Sequence, residues 1–263
     1  MAGTADIMWF STVPITIVSS GLVLYYDFGN TSCYSGSGTT INDLTANANT
    51  ATMIGTPAIT YSSSNGGILV YPSSNTTSYL SIPAATSIND LSALTVNLWV
   101  NPTTIINNPF FYKSDNNNVQ GWWAGMETGI NGGANNGIGF ARVLSGTDLR
   151  YFVSMTGMNA ATWVMVTITF DGVAPAVTSP NVHVYFNGVE NTTVTFTANG
   201  SGTTSSDATQ PLYFGRNDAS TSTGGSTVSN LVGSQGITLL YNRVLSQTEI
   251  TQNFNATRTT YGI

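Results

Sequence analysis

Leu94-Thr-Val-Asn-Leu-Trp-Val100 is the stretch of sequence that most directly indicates the fold. Its four aliphatic residues occupy alternate positions, so they share one face of an extended strand and Trp99 lies on the other face. Strict alternation over this length is typical of a β-strand that turns one face toward a hydrophobic core.

The same two-residue period recurs along the chain. Residues 162–170 alternate in this way, and Val182, Val184 and Phe186 repeat the pattern before Asn187-Gly188, a dipeptide typical of hairpin turns. Further strand candidates lie at residues 22–27, 68–71, 79–82, 107–112, 121–130, 137–144, 149–154, 191–197, 211–215 and 236–242. Many short strands separated by glycine-rich turns predict an all-β sandwich or jelly roll.

One segment near the C-terminus departs from the strand period. Ser246-Gln-Thr-Glu249 is a capping box, in which serine and glutamate each accept a free backbone N–H of the first helical turn. Leu245 and Ile250 stand at the positions of a hydrophobic staple. The pattern predicts a helix over residues 247–256 that lays Ile250 and Phe254 on the sandwich.

We divide the chain into an N-terminal arm, residues 1–20, and one jelly-roll domain, residues 21–263. The arm is expected to pack on the domain itself or on a neighbour. It lacks the basic region and the uninterrupted apolar segment of a signal peptide, so we expect synthesis in the host cytoplasm. No apolar stretch approaches the length of a membrane-spanning helix, and we expect no membrane insertion.

The composition excludes several classes of partner. Charged residues make up 7% of the chain, the net charge is −6, and Lys113 is the single lysine, so no basic stripe can bind nucleic acid. Asn, Thr, Ser and Gly account for 122 of 263 residues, while 41% hydrophobic residues suffice for a core. Cys33 is the single cysteine, so no intrachain disulfide can form.

Several segments together carry a family resemblance. In chain order they are Leu22–Asp27, Asn42–Leu44, Tyr79–Ile82, Leu94–Pro102, Trp163–Gly172, Val182–Val189, Leu212–Arg216 and Leu240–Ile250. Over about residues 21–258 the chain resembles a laminin-G-like domain of the concanavalin A-like lectin/glucanase superfamily, as found in tailed-phage virion structural proteins. The resemblance implies a two-sheet antiparallel jelly roll with one short C-terminal helix. It does not imply an activity, because this fold serves enzymes, lectins and structural modules alike.

Catalytic motifs are missing from the sequence. Among the twelve carboxylates none has another within ten positions, and the Glu-x-Asp-x-x-Glu motif of the superfamily's glucanases is absent. His183 is the single histidine, and no Gly-x-Ser-x-Gly elbow accompanies it. A carboxylate pair assembled from distant strands stays open as an alternative, but we predict no enzyme, no catalytic residues and no cofactor.

Calcium binding is the remaining metal question, because many laminin-G-like domains bind this ion between loops. Asp115, Asp148 and Asp218 are the loop candidates, but each is better explained as an ordinary turn residue. We therefore predict no metal site.

Glycan binding is the sharper hypothesis, because sugars are held by aromatic faces together with amide and hydroxyl groups. Trp122 and Trp123 are adjacent on one strand and must point to opposite faces. His183 and Tyr185 lie opposite the aliphatic face of theirs, as do Trp99 and Trp163. We name Trp122, Trp123, His183 and Tyr185 as glycan-binding candidates. The alternative is that this second face is itself packed, against the other sheet, an arm or a neighbouring subunit.

The sequence therefore predicts a non-enzymatic virion structural protein, such as a capsid decoration, head-fibre or tail-associated component, with its jelly roll displayed on the virion surface. Its expected partners are further virion proteins, such as the capsid shell bound through residues 1–20, further copies of the chain, and surface glycans. A carbohydrate-binding module or adhesin outside any virion is the alternative, and a glycoside hydrolase is the less favoured one.

Overall fold

The protein, described here from a computed structural model, folds into two antiparallel β-sheets packed face to face. The structure describes residues 15–72, 78–114, 120–128, 136–172, 181–216 and 230–263. Within these residues the two sheets and one C-terminal helix confirm the predicted jelly-roll sandwich.

The first sheet has eight strands in the order β14-β13-β12-β7-β17-β5-β4, with β1 also paired to β17. Its strands are β1 (Leu22–Tyr26), β4 (Thr60–Ser62), β5 (Ile68–Tyr71), β7 (Leu94–Pro102), β12 (Val164–Phe170), β13 (Val182–Phe186), β14 (Val189–Glu190) and β17 (Gly233–Tyr241).

The second sheet has nine strands in the order β15-β11-β10-β9-β8-β16-β6-β3-β2. Its strands are β2 (Thr40–Ile41), β3 (Ala51–Ile54), β6 (Tyr79–Ile82), β8 (Pro109–Ser114), β9 (Gly121–Thr128), β10 (Asn136–Arg142), β11 (Leu149–Val153), β15 (Val194–Ala198) and β16 (Leu212–Phe214).

The main core lies between the two sheets. The four aliphatic residues of β7 that alternate in the sequence all enter it, as do those of β12, which pairs with β7 along its whole length. Burial of this inward face accounts for the alternation, because successive side chains of a strand point to opposite sides of the sheet.

The outer face of the first sheet is covered by helix α1 (Gln247–Thr257) and the 3₁₀ turn Arg258–Tyr261 that follows it. The Trp99 ring lies 4.2 Å from that of Tyr261 between centroids, and its Nε1 donates to Thr257 Oγ1 at 2.8 Å. Ser246 and Glu249 form the predicted capping box, and Ile250 is fully buried. The helix prediction is confirmed, and the aromatic side chains opposite the aliphatic face form a second core.

Residues 15–20 are hydrogen-bonded to the domain on the helix-covered side of the first sheet. The first 14 residues lie outside the described part of the chain. Val18 N–H donates to Asn253 Oδ1 at 2.8 Å, and Val18 O accepts from the Tyr241 hydroxyl at 2.9 Å. Arg243 Nε donates to Ser20 O at 3.0 Å. This end of the predicted arm therefore packs on the domain itself, while the boundary at residue 20 stays a prediction.

Sequence inspection missed the strands β2, β3, β4 and β14, each two to four residues long. Such segments are too short to show a period, and pairing with a longer neighbour holds them in place. Among the described residues no helix combines the length and apolarity that crossing a membrane requires.

Candidate functional site

The two adjacent tryptophans of β9 point to opposite faces of the second sheet, as the strand period requires. Trp122 enters the core between the sheets, where it is fully buried and meets Phe111 edge to face, with ring centroids 5.3 Å apart. A ring enclosed in this way has no face to offer a sugar. Trp122 is therefore a packing residue in this structure, which corrects its place among the glycan-binding candidates.

Trp123 lies on the outer face of the second sheet, within a row of residues that runs straight across the strands. Cross-strand register places it directly opposite Tyr112 of β8 on one side and Ala141 of β10 on the other. Tyr112 in turn lies opposite Tyr213 of β16, and Ala141 lies opposite Arg150 of β11. Residues opposed in register share one face, so these side chains project on the same side.

Six rings line this face, and we call them the aromatic row: Tyr79, Tyr112, Trp123, Phe152, Phe196 and Tyr213. Tyr79 and Tyr213 meet edge to face at 5.2 Å between ring centroids, while Trp123 lies 6.0 Å from Phe152 and Phe152 lies 6.4 Å from Phe196. Trp123 and Phe152 belong to strands on either side of β10, and they meet because β10 carries only Gly139 and Ala141 between them.

Two arginines lie against the aromatic row. The Arg216 guanidinium carbon is 4.5 Å from the ring centroid of Tyr79 and 5.4 Å from that of Tyr213. The Arg150 guanidinium carbon is 6.0 Å from the Trp123 ring, and its Nη2 is 3.4 Å from Asp148 Oδ2. Such stacking uses the flat face of each guanidinium, whereas its N–H groups point outward in the plane of the group.

Exposure differs along the aromatic row. Trp123 is 7% exposed and Tyr112 and Phe152 are buried, whereas Tyr79 and Tyr213 at one end and Phe196 at the other are half-buried. The accessible parts of the row are thus its two ends, and one of them combines Tyr79 and Tyr213 with Arg216. Sequence inspection did not select these residues, because Tyr79 lies on one segment and Tyr213 and Arg216 on another, and only sheet pairing brings the two segments together.

One carboxylate shares the face of the aromatic row. Glu127 follows Trp123 by four positions on β9, so both side chains project on the same side. Burial raises the pKa of Glu127, and the positive charge of Arg150 opposes that rise. A carboxyl with a raised pKa can act as a general acid, but a retaining glycosidase needs a second carboxyl about 5–5.5 Å from the first.

His183 and Tyr185 lie far from the aromatic row, on the outer face of the first sheet near its β14 edge. His183 Nδ1 is 2.6 Å from Glu190 Oε1, and both side chains are more than one-third exposed. Tyr185 is buried with the helix-covered cluster, and burial together with Glu190 raises its pKa to about 12. The structure therefore divides the four predicted glycan-binding residues among three places, with only His183 and Tyr185 adjacent.

A buried charge cluster was not foreseen, and it joins residues that are distant in sequence. Lys113 Nζ is 3.3 Å from Asp207 Oδ1, Arg142 Nη1 is 3.5 Å from Asp207 Oδ2, and all three side chains are almost fully buried. Asp90 and Asp207 each donate a backbone N–H to the other's carboxylate at 2.8 Å. The one signal in the sequence was Lys113 itself, a single lysine within the apolar strand β8.

Of the three aspartates considered as calcium ligands, the structure describes one. Asp148 pairs with Arg150 and accepts the Leu144 N–H at 3.3 Å, whereas Asp115 and Asp218 lie outside the described residues. In the part of the chain that the structure describes, no group of three or more His, Cys, Asp or Glu side chains could hold a metal ion.

Comparison with models of known protein families identifies the family of this chain. The family model for laminin-G-like domains, described as the concanavalin A-like lectin/glucanases superfamily, matches residues 74–251. No curated protein matches the chain.

Among solved structures, the binding domain of Paraclostridial Mosquitocidal Protein 1 superposes with a TM-score of 0.59 at 16% identity over 90% of this chain and 52% of that one. The binding domain of botulinum neurotoxin serotype D/C superposes with a TM-score of 0.60 at 14% identity, over 90% of this chain and 52% of that one. Domain 4 of AbnA, an arabinanase from Geobacillus stearothermophilus, was solved in complex with arabinotriose. It superposes with a TM-score of 0.51 at 18% identity, over 90% of this chain and 98% of that one. The chain thus spans about half of the toxin domains and nearly all of the arabinanase domain, and at these identities the likeness concerns the fold.

Proposed function

Because the chain belongs to the concanavalin A-like lectin/glucanases superfamily, we propose that it is a non-enzymatic recognition domain that binds glycans and is displayed on a virion. The observation that carries glycan binding is one accessible end of the aromatic row, where Tyr79, Tyr213 and Arg216 lie together. Tyrosine rings offer apolar faces to the C–H side of a sugar, and arginine donates hydrogen bonds to its hydroxyl oxygens.

The arrangement favours binding over hydrolysis. Glu127 lies beside the positive charge of Arg150, whose guanidinium also pairs with Asp148, so each of these two carboxylates has a cationic neighbour. Asp90 and Asp207 do meet, but each accepts a backbone N–H of the other, and Asp207 is also paired with Lys113 and Arg142. Carboxyls engaged in this way are poorly placed to donate a proton to a leaving group or to attack a sugar.

The known structures give this proposal a direction. Domain 4 of the arabinanase was solved with arabinotriose, a neutral sugar, and this chain covers almost its entire length. A neutral glycan also suits the surface of this protein, which is rich in small polar residues and poor in charge.

A glycan array that compares the wild type with Tyr213→Ala and Arg216→Gln tests the proposal. Both substitutions should weaken binding about tenfold or more, since one ring contact or one charged donor is worth about 1–3 kcal/mol. Tyr25→Ala is the matched control, because Tyr25 is a partly buried tyrosine packed against the helix-covered cluster of the first sheet. Equal losses in all three variants, or no binding by the wild type, would reject the aromatic row as the binding face.

The virion role rests on the family resemblance and on how the N-terminal segment is held. Hydrogen bonds to Thr16, Val18 and Ser20 hold the described end of this segment on the domain. The proposed attachment is to the capsid shell or another virion protein through this arm, with the chain made in the host cytoplasm and present in several copies. A carbohydrate-binding module outside any virion is the alternative.

Mass spectrometry of purified virions distinguishes the two alternatives, because absence of the chain from the particles rejects the virion role. Deletion of residues 1–14 should abolish attachment and leave the fold intact. Deletion of residues 1–20 is a poorer test, since it also removes Val18 from Asn253 and Tyr241. Retained attachment after the shorter deletion would show that the arm is not the docking segment.

A further inference from the structure

A pocket of about 300 Å³ opens at one end of the sandwich, away from the aromatic row. It lies where β10 ends at Arg142 and β12 ends at Phe170, and where the segment Asp90–Ser92 leads into β7. Residues 204–206, which precede β16, form its remaining wall. The pocket therefore lies at the ends of strands from both sheets, on the core side of the second sheet.

Arg142 is the buried polar side chain in this pocket. It is 4% exposed, and its Nε and Nη1 have no hydrogen-bond partner apart from the 3.5 Å ion pair of Nη1 with Asp207. Buried donors without acceptors are rare because they lose their hydration without replacement. Nε and Nη1 are closed off from solvent, so an oxygen-bearing ligand can accept only from the part of the Arg142 guanidinium that lines the pocket.

The buried charge cluster beside the pocket is balanced. Lys113 and Arg142 contribute two positive charges, and Asp207 and Asp90 contribute two negative ones. An anionic ligand would gain from Arg142 but would be repelled by the exposed Asp90 carboxylate, which also lines the pocket. The balance therefore favours an uncharged ligand with both donors and acceptors.

The walls are preorganised for such a ligand. Asp90 has a φ of +52°, and the two backbone N–H donations between Asp90 and Asp207 hold it there. The Ser206 hydroxyl donates to Asp90 Oδ2 at 2.9 Å, and exposed hydroxyls of Ser92 and Ser205 complete the polar side. Phe170, stacked on Phe140 at 5.1 Å between ring centroids, supplies the apolar side.

We propose that this pocket binds one neutral monosaccharide unit, such as a hexopyranose, with a hydroxyl oxygen accepting from Arg142 and a hydroxyl donating to Asp90. Its volume lies at the small end of the range for small-molecule pockets, about 300–1,000 Å³, which suits one sugar ring rather than a chain. The site is separate from the aromatic row and does not depend on the function proposed for that row.

Titration of the protein with D-glucose, D-galactose and D-mannose, followed by amide NMR, tests the proposal, with N-acetylneuraminic acid as the acidic comparator. Binding of a neutral sugar should shift the amide signals of Ser92, Gly172 and Ser205. Ser205→Trp should fill the pocket and abolish these shifts, and Ser37→Trp, at an exposed serine in a different loop, should not. Arg142→Lys keeps the charge but lacks the planar guanidinium, so it should weaken binding about tenfold.

The outcomes separate this site from the aromatic row. Shifts confined to Tyr79 and Tyr213 would overturn the pocket and leave glycan binding by the row intact, while shifts confined to the pocket would do the reverse. Response to the acidic sugar alone, unchanged binding in Ser205→Trp, or no response to any of the four sugars would overturn the proposal.

Discussion

Replacing Asn253 by alanine should loosen the attachment of the N-terminal segment and destabilise the whole domain. Asn253 lies fully buried in helix α1, where its Oδ1 accepts from Val18 N–H. Its Nδ2 donates to Asn97 Oδ1 at 2.9 Å and to the Tyr241 hydroxyl at 3.0 Å. One side chain thus links the helix, two strands of the first sheet and residues 15–20.

The magnitude follows from the groups left without partners. In Asn253→Ala the Val18 N–H loses its acceptor and Asn97 Oδ1 loses its donor, whereas the Tyr241 hydroxyl still donates to Val18 O. Each buried group without a partner costs about 1–3 kcal/mol. Allowing for partial relaxation, we expect a loss of about 3 kcal/mol in the free energy of unfolding and a fall of roughly 6–12 °C in Tm.

Urea unfolding followed by tryptophan fluorescence measures the loss, and hydrogen exchange at the Val18 amide should accelerate in the variant. Asn255→Ala is the matched control, since this residue lies in the same helix but is only half-buried, and it should change stability by less than about 1 kcal/mol. Equal stability of the two variants, or unchanged exchange at Val18, would refute the reasoning that Asn253 joins these elements.

Three further predictions concern titratable groups. Lys113→Met leaves the buried Asp207 carboxylate with Arg142 as its one cationic partner in the described cluster. It should cost about 3–5 kcal/mol in urea unfolding, with partial recovery when Asp207→Asn is added. Glu249→Gln should cost about 1 kcal/mol near neutral pH through the capping box. Arg243 and the capping hydrogen bonds lower the pKa of Glu249 to about 2. In thermal melts, the stability difference between wild type and Glu249→Gln should therefore be fully present at pH values above the ordinary pKa of glutamate, and it should vanish as the pH falls toward 2. Burial raises the pKa of the Cys33 thiol to about 12, so Ellman's reagent should react only as the protein unfolds, and rapid labelling of the folded protein would contradict the buried position.

The strands and the helix could be predicted where one local rule decides the outcome. The alternation in β7 reports which residues face the core, and the capping box marks the first turn of α1. The same alternation places Trp122 and Trp123 on opposite faces. It does not report which face lies inside the sandwich, because that depends on how the second sheet packs.

The charge cluster and the accessible end of the aromatic row at Tyr79 and Tyr213 could not be predicted in this way. Asp90 and Asp207 are separated by 117 positions, and their mutual hydrogen bonds arise from the connection of distant strands. Tyr79 and Tyr213 meet because β6 and β16 are neighbours in the sheet. Neither contact can be inferred from the spacing of these residues along the chain, because the order of strands within the sheet brings the side chains together.

The burial of Lys113 has a practical consequence for mapping the neighbours of this protein. Since the chain has no second lysine, amine-reactive cross-linkers and succinimidyl labels find no exposed lysine on the folded domain. Lysine-directed cross-linking mass spectrometry will therefore yield no cross-link from a lysine of the folded domain, even in a stable assembly. Reagents that couple carboxylates, or that attach at introduced surface cysteines, are the ones suited to reveal its contacts.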